Sequence, residues 1–241
     1  MPQIRFEFKY ILDTVQEQAL RSAVSHFMEP DASAAKRGGW YPVTSLYFDT
    51  PQLADYYDKS GGYLIRKKLR ARIYEQSLRP ETPEIWLEIK KKYDMSFEKE
   101  RCLISQDDWE NLQQCRYTKA LSAPRSEQDK AVLHKFVWYL LQEGRHPSFF
   151  VRYQRRPYRD PHSDLRITFD NRIEAYRHTD LVEPLFPKQV HAGAIMEVKF
   201  SRNTLPGWLG TTLRMYNLSR DAFSKYGIAV ERLRSYDTMP R

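Results

Sequence analysis

Between Gly61 and Tyr74 the chain reads Gly-Gly-Tyr-Leu-Ile-Arg-Lys-Lys-Leu-Arg-Ala-Arg-Ile-Tyr, and no other stretch limits the fold as much. As a strand it places Arg66, Lys68, Arg70 and Arg72 on one face, and Lys67, Leu69, Ala71 and Ile73 on the other. Like charges about 7 Å apart repel by roughly 0.6 kcal/mol in water, and by about 2 to 2.5 kcal/mol at an effective dielectric near 20. Such a row is tolerable on an open surface. In a partly enclosed place it calls for carboxylates or a polyanion.

The same signature recurs along the chain. Ile4 to Leu12 alternates strictly, with Arg5, Glu7 and Lys9 on one face. Trp40 to Asp49 returns to strand character. Ile85, Leu87 and Ile89 oppose Glu84, Trp86, Glu88, Lys90 and Lys92, and Phe97 to Ile104 completes a hairpin with that strand. Ser148 to Tyr158 sets Val151, Tyr153 and Arg155 on one side. Leu165 to Phe169 and Ile173 to His178 follow as two pieces, and Ala194 to Phe200 puts Glu197 and Lys199 together. Between the strands lie helical signals. Asp13 and Thr14 offer an N-cap, with a Thr14-x-x-Glu17 capping box opening a helix to about Met28, and Ser105 to Asp108 is a second box. A polar connection then leads to a longer helix over 127–143, and Pro206 suits a first helical turn before Met215. Leu218 to Phe223 reads as a last helical piece ending near Ser224, and 31–39 reads as a loop.

At 241 residues, with no visible linker, the chain is expected to form one domain over 1–241, with a helical insertion at about 105–144. Lys plus Arg is 39 against 31 for Asp plus Glu, a formal net charge of +8, which favours an anionic partner. Cys102 and Cys115 are too few for a disulfide framework and form no metal-type pair. The six histidines are scattered, and no histidine-based mechanism is expected. No apolar run resembles a signal peptide or a membrane span, which points to the cytoplasm.

An ordinary half-exposed antiparallel sheet also produces one apolar and one charged face. Here the charged faces favour Arg, whose fork binds phosphate bidentately, and carry Trp86 and Tyr153 as well. The apolar faces are rich enough to be covered by the helices, which would turn the charged faces inward. A closed antiparallel barrel of about eight strands has a lumen wide enough for side chains or one slender ligand. The expected fold is therefore α+β: a closed eight-stranded antiparallel tunnel barrel wrapped by helices.

Eight short motifs, in order, resemble the VTC domain, the polyphosphate polymerase module within the triphosphate tunnel, or CYTH-like, superfamily. They are Arg5-Phe-Glu-Phe-Lys9-Tyr, Ser45-Leu-Tyr-Phe-Asp49, Leu69-Arg-Ala-Arg72, Glu88-Ile-Lys90, Tyr153-Gln-Arg155, Leu165-Arg-Ile, Met196-Glu-Val-Lys199 and Ser224-Lys-Tyr226. The resemblance implies transfer of the γ-phosphate of ATP or another nucleoside triphosphate onto inorganic polyphosphate, with Mn²⁺ or Mg²⁺ as cofactor. It implies that Lys9, Arg70, Arg72, Lys90, Arg155 and Arg166 bind phosphate and that Glu197 holds the metal. Ser224 and Lys225 would add phosphate contacts, Tyr153 and Lys199 would line the tunnel, and Arg66 and Lys68 would lie towards a mouth. The catalytic set is thus Arg70, Arg72, Lys90, Arg155, Arg166 and Glu197.

Many tunnel triphosphatases open with Glu-x-Glu-x-Lys, where this chain has Arg5-x-Glu7-x-Lys9. Exchanging an acid for a cation weakens the arrangement that hydrolysis needs and favours a longer polyanion. A tunnel-type inorganic or nucleoside triphosphatase and a non-catalytic polyphosphate binder are the rival readings. Nucleic acid is disfavoured, because the cations are strung among carboxylates and no nucleic-acid module is recognisable. Any coupling to a membrane would need a partner. Arg70→Ala and Glu197→Ala are each expected to abolish turnover in a folded protein.

Overall fold

Period-two alternation decides the strands, and capping side chains decide where the helices begin. The computed structural model describes residues 6–82, 84–93, 96–201 and 204–237. In chain order the elements are β1 (Phe6–Leu12), α1 (Thr14–Phe27), β2 (Glu29–Pro30), α2 (Ala32–Ala35), β3 (Tyr41–Asp49) and α3 (Ala54–Ser60). Then come β4 (Ile65–Ile73), β5 (Ile85–Tyr93), β6 (Ser96–Ile104), α4 (Gln106–Gln113), α5 (Tyr117–Ser122) and α6 (Glu127–Gln142). The remainder is β7 (His146–Arg159), β8 (Arg166–Arg177), β9 (Lys188–His191), β10 (Ala194–Phe200), α7 (Gly207–Met215) and α8 (Lys225–Asp237). The protein is α+β with a large antiparallel sheet. Among the described residues no hydrogen-bonded ladder joins β6 to β1, so hydrogen bonds do not close the sheet into the expected barrel.

The chain divides into two compact units. The first gathers the described residues through Pro42, Tyr153–Glu174 and Gln189–Ile228. Its strands follow the order β1-β10-β8-β7, with β2 on β7 and β9 on β8. Lys9 sits opposite Glu197 and Glu7 opposite Lys199. The apolar sides of β1, β8 and β10 form a core of Tyr10, Leu12, Ile167, Phe169, Met196, Val198 and Phe200, with Leu20, Val24 and Leu209 from α1 and α7. Before β10 the chain comes so close to β1 that a Cβ at Gly193 would lie 2.2 Å from the Leu12 carbonyl oxygen, so only glycine fits there.

The second unit gathers Val43–Arg152, Ala175–Lys188 and the described residues from Ala229. Its strand order is β7-β3-β4-β5-β6. Leu69, Ala71, Ile73, Leu87 and Ile89 are fully buried with Phe136 and Leu133 of α6, which covers this face. The insertion over 105–144 therefore lies across β5 and β6 and shares their core. A bidentate ion pair stands beside that core: Arg145 Nη1 and Nη2 donate to Asp55 Oδ2 and Oδ1 at 2.6 and 2.7 Å, both side chains being 1% exposed.

Several expected boundaries move, each for a local reason. The N-cap of α1 is Asp13, whose side chain accepts from Gln16 N while the Gln16 side chain accepts from Asp13 N, so the box is one residue earlier than the Thr14–Glu17 reading. Asp31 caps the short α2 inside the expected loop, and α5 occupies part of the polar connection. The two pieces over 165–178 are one strand, β8, in which Arg172 takes a left-handed φ of 50° that interrupts the simple alternation. Residues 218–223 are not helical. Ser224 instead starts α8, its Oγ accepting from Gly227 N and its carbonyl from Ile228 N. Ile4 and Arg5, Pro83, and Asp94 and Met95 within the expected hairpin lie outside the described residues.

Candidate functional site

The charged strand faces form two clusters, one within each unit. In the first unit Glu197 is the hub. Its Oε1 lies 3.1 Å from Lys225 Nζ, and its Oε2 lies 3.4 Å from Lys199 Nζ and 3.8 Å from Arg155 Nη2. Asp170, fully buried, accepts both Nε and Nη2 of Arg155 at 2.7 Å and faces Lys225 Nζ at 2.6 Å. Tyr153 presents its ring to both cations, 4.7 Å from Lys225 Nζ and 5.3 Å from Arg155 Cζ. On β1, Lys9 Nζ lies 3.3 Å from Glu7 and donates to the Phe223 carbonyl at 3.0 Å.

Burial by itself raises the Glu197 carboxyl, but Lys225, Lys199, Lys9 and Arg155 outweigh it and hold the group well below the usual carboxylate range. Burial likewise acts against the charge of Lys225, yet Asp170 and Glu197 raise its ammonium above the usual lysine range. Glu197, Asp170, Arg155 and Lys225 are therefore all in their charged forms at neutral pH.

The sequence-expected residues Lys9, Tyr153, Arg155, Glu197, Lys199 and Lys225 converge here. Arg166 is exposed, in register with Lys199 across β8 and β10. Ser224 borders the cluster, with its hydroxyl engaged in capping α8. Asp170 is the member that residue reading missed. It follows Phe169 in the alternation, but nothing in the sequence says that an acid there is buried under Arg155.

In the second unit, Arg66, Lys68, Arg70 and Arg72 of β4 share one face with Lys90 and Lys92 of β5 and with Lys99 and Arg101 of β6. The register pairs Arg66 with Lys92, Lys68 with Lys90, Arg70 with Glu88, Lys90 with Lys99 and Glu88 with Arg101. Eight cations and a single carboxylate thus share one face of these three strands. Glu88, 1% exposed, accepts Arg70 Nε at 2.6 Å, lies 2.5 Å from Lys99 Nζ and 3.6 Å from Arg72 Nη1. Tyr47 OH accepts from Arg70 Nη1 at 3.1 Å, and Ser45 Oγ from Arg72 Nε at 3.1 Å. Arg101 stacks over the Trp86 ring at 4.4 Å. Burial raises the Glu88 carboxyl, but Arg70, Arg72 and Lys99 hold it well below the ordinary range. For Lys99 burial dominates, with Arg70 and Arg72 acting in the same sense, and its ammonium falls to about 8 despite Glu88. Lys99 and Arg101 were legible as charges on an alternating strand but were not singled out; only the register shows that they join the row.

The oxygen-only donors near Glu197 suit a hard divalent ion. Thr168 Oγ1, on the residue in register with Glu197, is buried without a hydrogen-bond partner. Among the described residues no group of three His, Cys, Asp or Glu could hold an ion. A metal held by Glu197 together with substrate phosphates fits this set, whereas a metal held by protein side chains alone does not.

The large antiparallel sheet and its covering helices give the protein an α+β fold that has counterparts among solved structures. Its fold is similar to that of a candidate adenylate cyclase from Bacillus halodurans, with a TM-score of 0.52 and 12% identity over 92% of this chain and 94% of that one. It is similar also to a Hippeastrum protein classed with adenylyl cyclases that has a dominant triphosphatase activity, with a TM-score of 0.51 and 17% identity over 97% of each chain. The VTC domain family matches residues 4–234, and the chain belongs to that family. No curated protein sequence matches it. No helix among the described residues is long and apolar enough to cross a membrane.

Proposed function

We propose that the chain is a polyphosphate polymerase that transfers the γ-phosphate of ATP or a related nucleoside triphosphate onto inorganic polyphosphate. The observation that carries this reading is the face of β4, β5 and β6, which bears eight cations and one carboxylate. An excess of that size suits a ligand with many regularly spaced negative charges. Membership of the VTC domain family supports the same reading. The finer architecture proposed with it is the closed tunnel barrel, with the whole chain working as one module in the cytoplasm.

Phosphoryl transfer asks a protein mainly for in-line positioning and neutralisation of charge. Arg70 and Arg72, already oriented by Glu88, Tyr47 and Ser45, would grip phosphate oxygens, with Lys90, Lys68 and Arg66 continuing the row. Arg155, Lys225, Lys199, Lys9 and Arg166 are the corresponding cations of the first unit, oriented by Asp170, Glu197 and Glu7. Bound Mn²⁺ or Mg²⁺, held by Glu197 and the phosphates, would supply further neutralisation of the transferred group. An ionised terminal oxygen of the acceptor chain attacks the γ-phosphorus. The bond to the β,γ-bridging oxygen breaks, and the nucleoside diphosphate leaves with the electron pair. The acceptor carries no proton at the attacking oxygen, so no general base is needed.

Triphosphatase activity is the second reading, favoured by the activity of the Hippeastrum protein. Incubation with ATP and Mn²⁺ or Mg²⁺, followed by gel separation, decides between them. Long phosphate chains are expected. Orthophosphate alone would establish the triphosphatase, and unchanged ATP with tight polyphosphate binding would leave a binder.

A further inference from the structure

Opposite Glu197 on the neighbouring strand stands Thr168, and the register sets Lys9, Glu197 and Thr168 in one line across β1, β10 and β8. Directly opposed residues project from the same face of a sheet, so Thr168 belongs to the charged side, with Arg166 and Asp170. The residue is 8% exposed, and its Oγ1 is buried with no hydrogen-bond partner among the described residues. Valine has nearly the same shape, suits a strand as well and would bury no polar atom. A hydroxyl kept out of water without a partner is a cost in the ligand-free fold, and it leaves polar capacity for something bound to satisfy.

The two acids beside it differ in what they leave open. Asp170 Oδ1 accepts from Arg155 Nε at 2.7 Å, and its Oδ2 meets Arg155 Nη2 at 2.7 Å and Lys225 Nζ at 2.6 Å, so both oxygens are taken. Glu197 is held less closely, its Oε2 standing 3.4 Å from Lys199 Nζ and 3.8 Å from Arg155 Nη2. Cβ atoms of opposed residues lie about 4.5 to 5.5 Å apart, and two oxygens on one octahedral ion the size of Mg²⁺ lie about 3 to 4 Å apart. The Thr168 hydroxyl is one bond from its Cβ and the Glu197 carboxylate oxygens are three bonds from theirs, so both can reach one ion between the strands. We propose that Thr168 Oγ1 is the second protein oxygen, beside Glu197, for the divalent ion that accompanies the substrate phosphates. A neutral hydroxyl adds a ligand without neutralising any cation that faces the phosphates. The inference rests on the metal reading of Glu197 given above and deepens it.

Calorimetric titration with adenosine 5′-(β,γ-imido)triphosphate, which resists cleavage between its β- and γ-phosphorus atoms, tests it in the presence of Mn²⁺ and of EDTA. The ratio of the two affinities reads the contribution of the metal. Thr168→Val should lower that ratio by about tenfold, the lower end of what the partners around a metal contribute, and leave the affinity in EDTA as it is. Thr168→Ser, which keeps the hydroxyl, should keep the ratio of the unaltered chain. Because the hydroxyl has no partner in the ligand-free fold, Thr168→Val should melt no lower than the unaltered chain. An unchanged ratio in Thr168→Val overturns the proposal, as does an equal loss in Thr168→Ser, a loss already present in EDTA, or a lower melting temperature. Glu197→Gln separates the two levels. A ratio lost there but kept in Thr168→Val removes Thr168 alone, whereas a ratio unchanged in Glu197→Gln removes the metal from this site and the inference with it. The gel assay on ATP decides the polymerase reading separately.

Discussion

Glu197→Gln keeps the shape of the side chain and removes its charge. Three cations lie 3.1, 3.4 and 3.8 Å from its oxygens. At an effective dielectric near 20 each contact is worth about 4 to 5 kcal/mol of gross attraction, set against a desolvation cost of several kcal/mol per buried ion. Breaking a buried pair from one side costs about 3 to 5 kcal/mol. Asp170 still neutralises Lys225 and Arg155, so the lower end, about 3 kcal/mol, is expected. For a chain of this size that lowers the melting temperature by roughly 6 to 12 °C and leaves a folded protein. The same reasoning makes Glu197→Ala a poor probe of turnover, since it adds a cavity to the lost charge. The pH dependence supplies the distinguishing mark. Because the folded-state pKa of Glu197 lies well below 4.5, its contribution is complete above about 4.5 and is lost as pH falls through the folded value. Denaturant unfolding at pH 7, 4 and 3 should show the gap between the two proteins closing as acid is added. Equal stability at pH 7, or a gap that persists unchanged at pH 3, would refute the ionised hub.

Two other outcomes follow from named groups. The Lys99 ammonium is lowered to about 8, so the β4–β6 face loses a cation as pH rises through 8. Polyphosphate affinity, read by competition at fixed ionic strength, should fall between pH 7 and 9, and Lys99→Met should flatten that fall; an unchanged profile in Lys99→Met would remove Lys99 from the site. Arg145→Met strands Asp55 in a site where both partners are 1% exposed, and should cost about 3 to 5 kcal/mol, with Asp55→Leu on the same background restoring much of it. Chemical denaturation checks both variants, and a neutral Arg145→Met would mean that the pair is not buried in solution.

Most of the strand framework was legible because alternation is a local property. Gly61 to Tyr74 gave β4 to within a few residues, and the two faces read from it are the ones observed: Leu69, Ala71 and Ile73 are buried, while Arg66, Lys68 and Arg70 are half-buried. Helix starts were less legible wherever several capping residues stand in a row, as at Asp13-Thr14, because the choice depends on which side chain can reach back. The start of α8 was misplaced because Leu218 to Phe223 is apolar enough for a helix, whereas the hydroxyl that begins one belongs to Ser224. Within the site, the cations were visible and their partners were not. Glu88 and Asp170 are acids beside many others in the sequence; only register and burial show that one gathers Arg70, Arg72 and Lys99, and that the other locks Arg155 to Lys225.

That difference between the clusters bears on what each can bind. In the first unit Glu7, Asp170 and Glu197 stand among Lys9, Arg155, Arg166, Lys199 and Lys225, so most of the positive charge is already met by protein and the carboxylates fix where each cation points. On the charged face of β4, β5 and β6 Glu88 is the one carboxylate beside eight cations, and the register sets Arg66 against Lys92, Lys68 against Lys90, and Lys90 against Lys99. Like charges directly opposite one another weaken a sheet. The fold tolerates them because Leu69, Ile89 and Leu87 on the reverse of the same strands are fully buried beneath α6. A single phosphate near Arg70 and Arg72 would relieve only one end of this row, whereas a chain of phosphates relieves the pairs in succession. The polymer reading therefore accounts for the whole length of the basic strand, and a triphosphate reading accounts for only part of it.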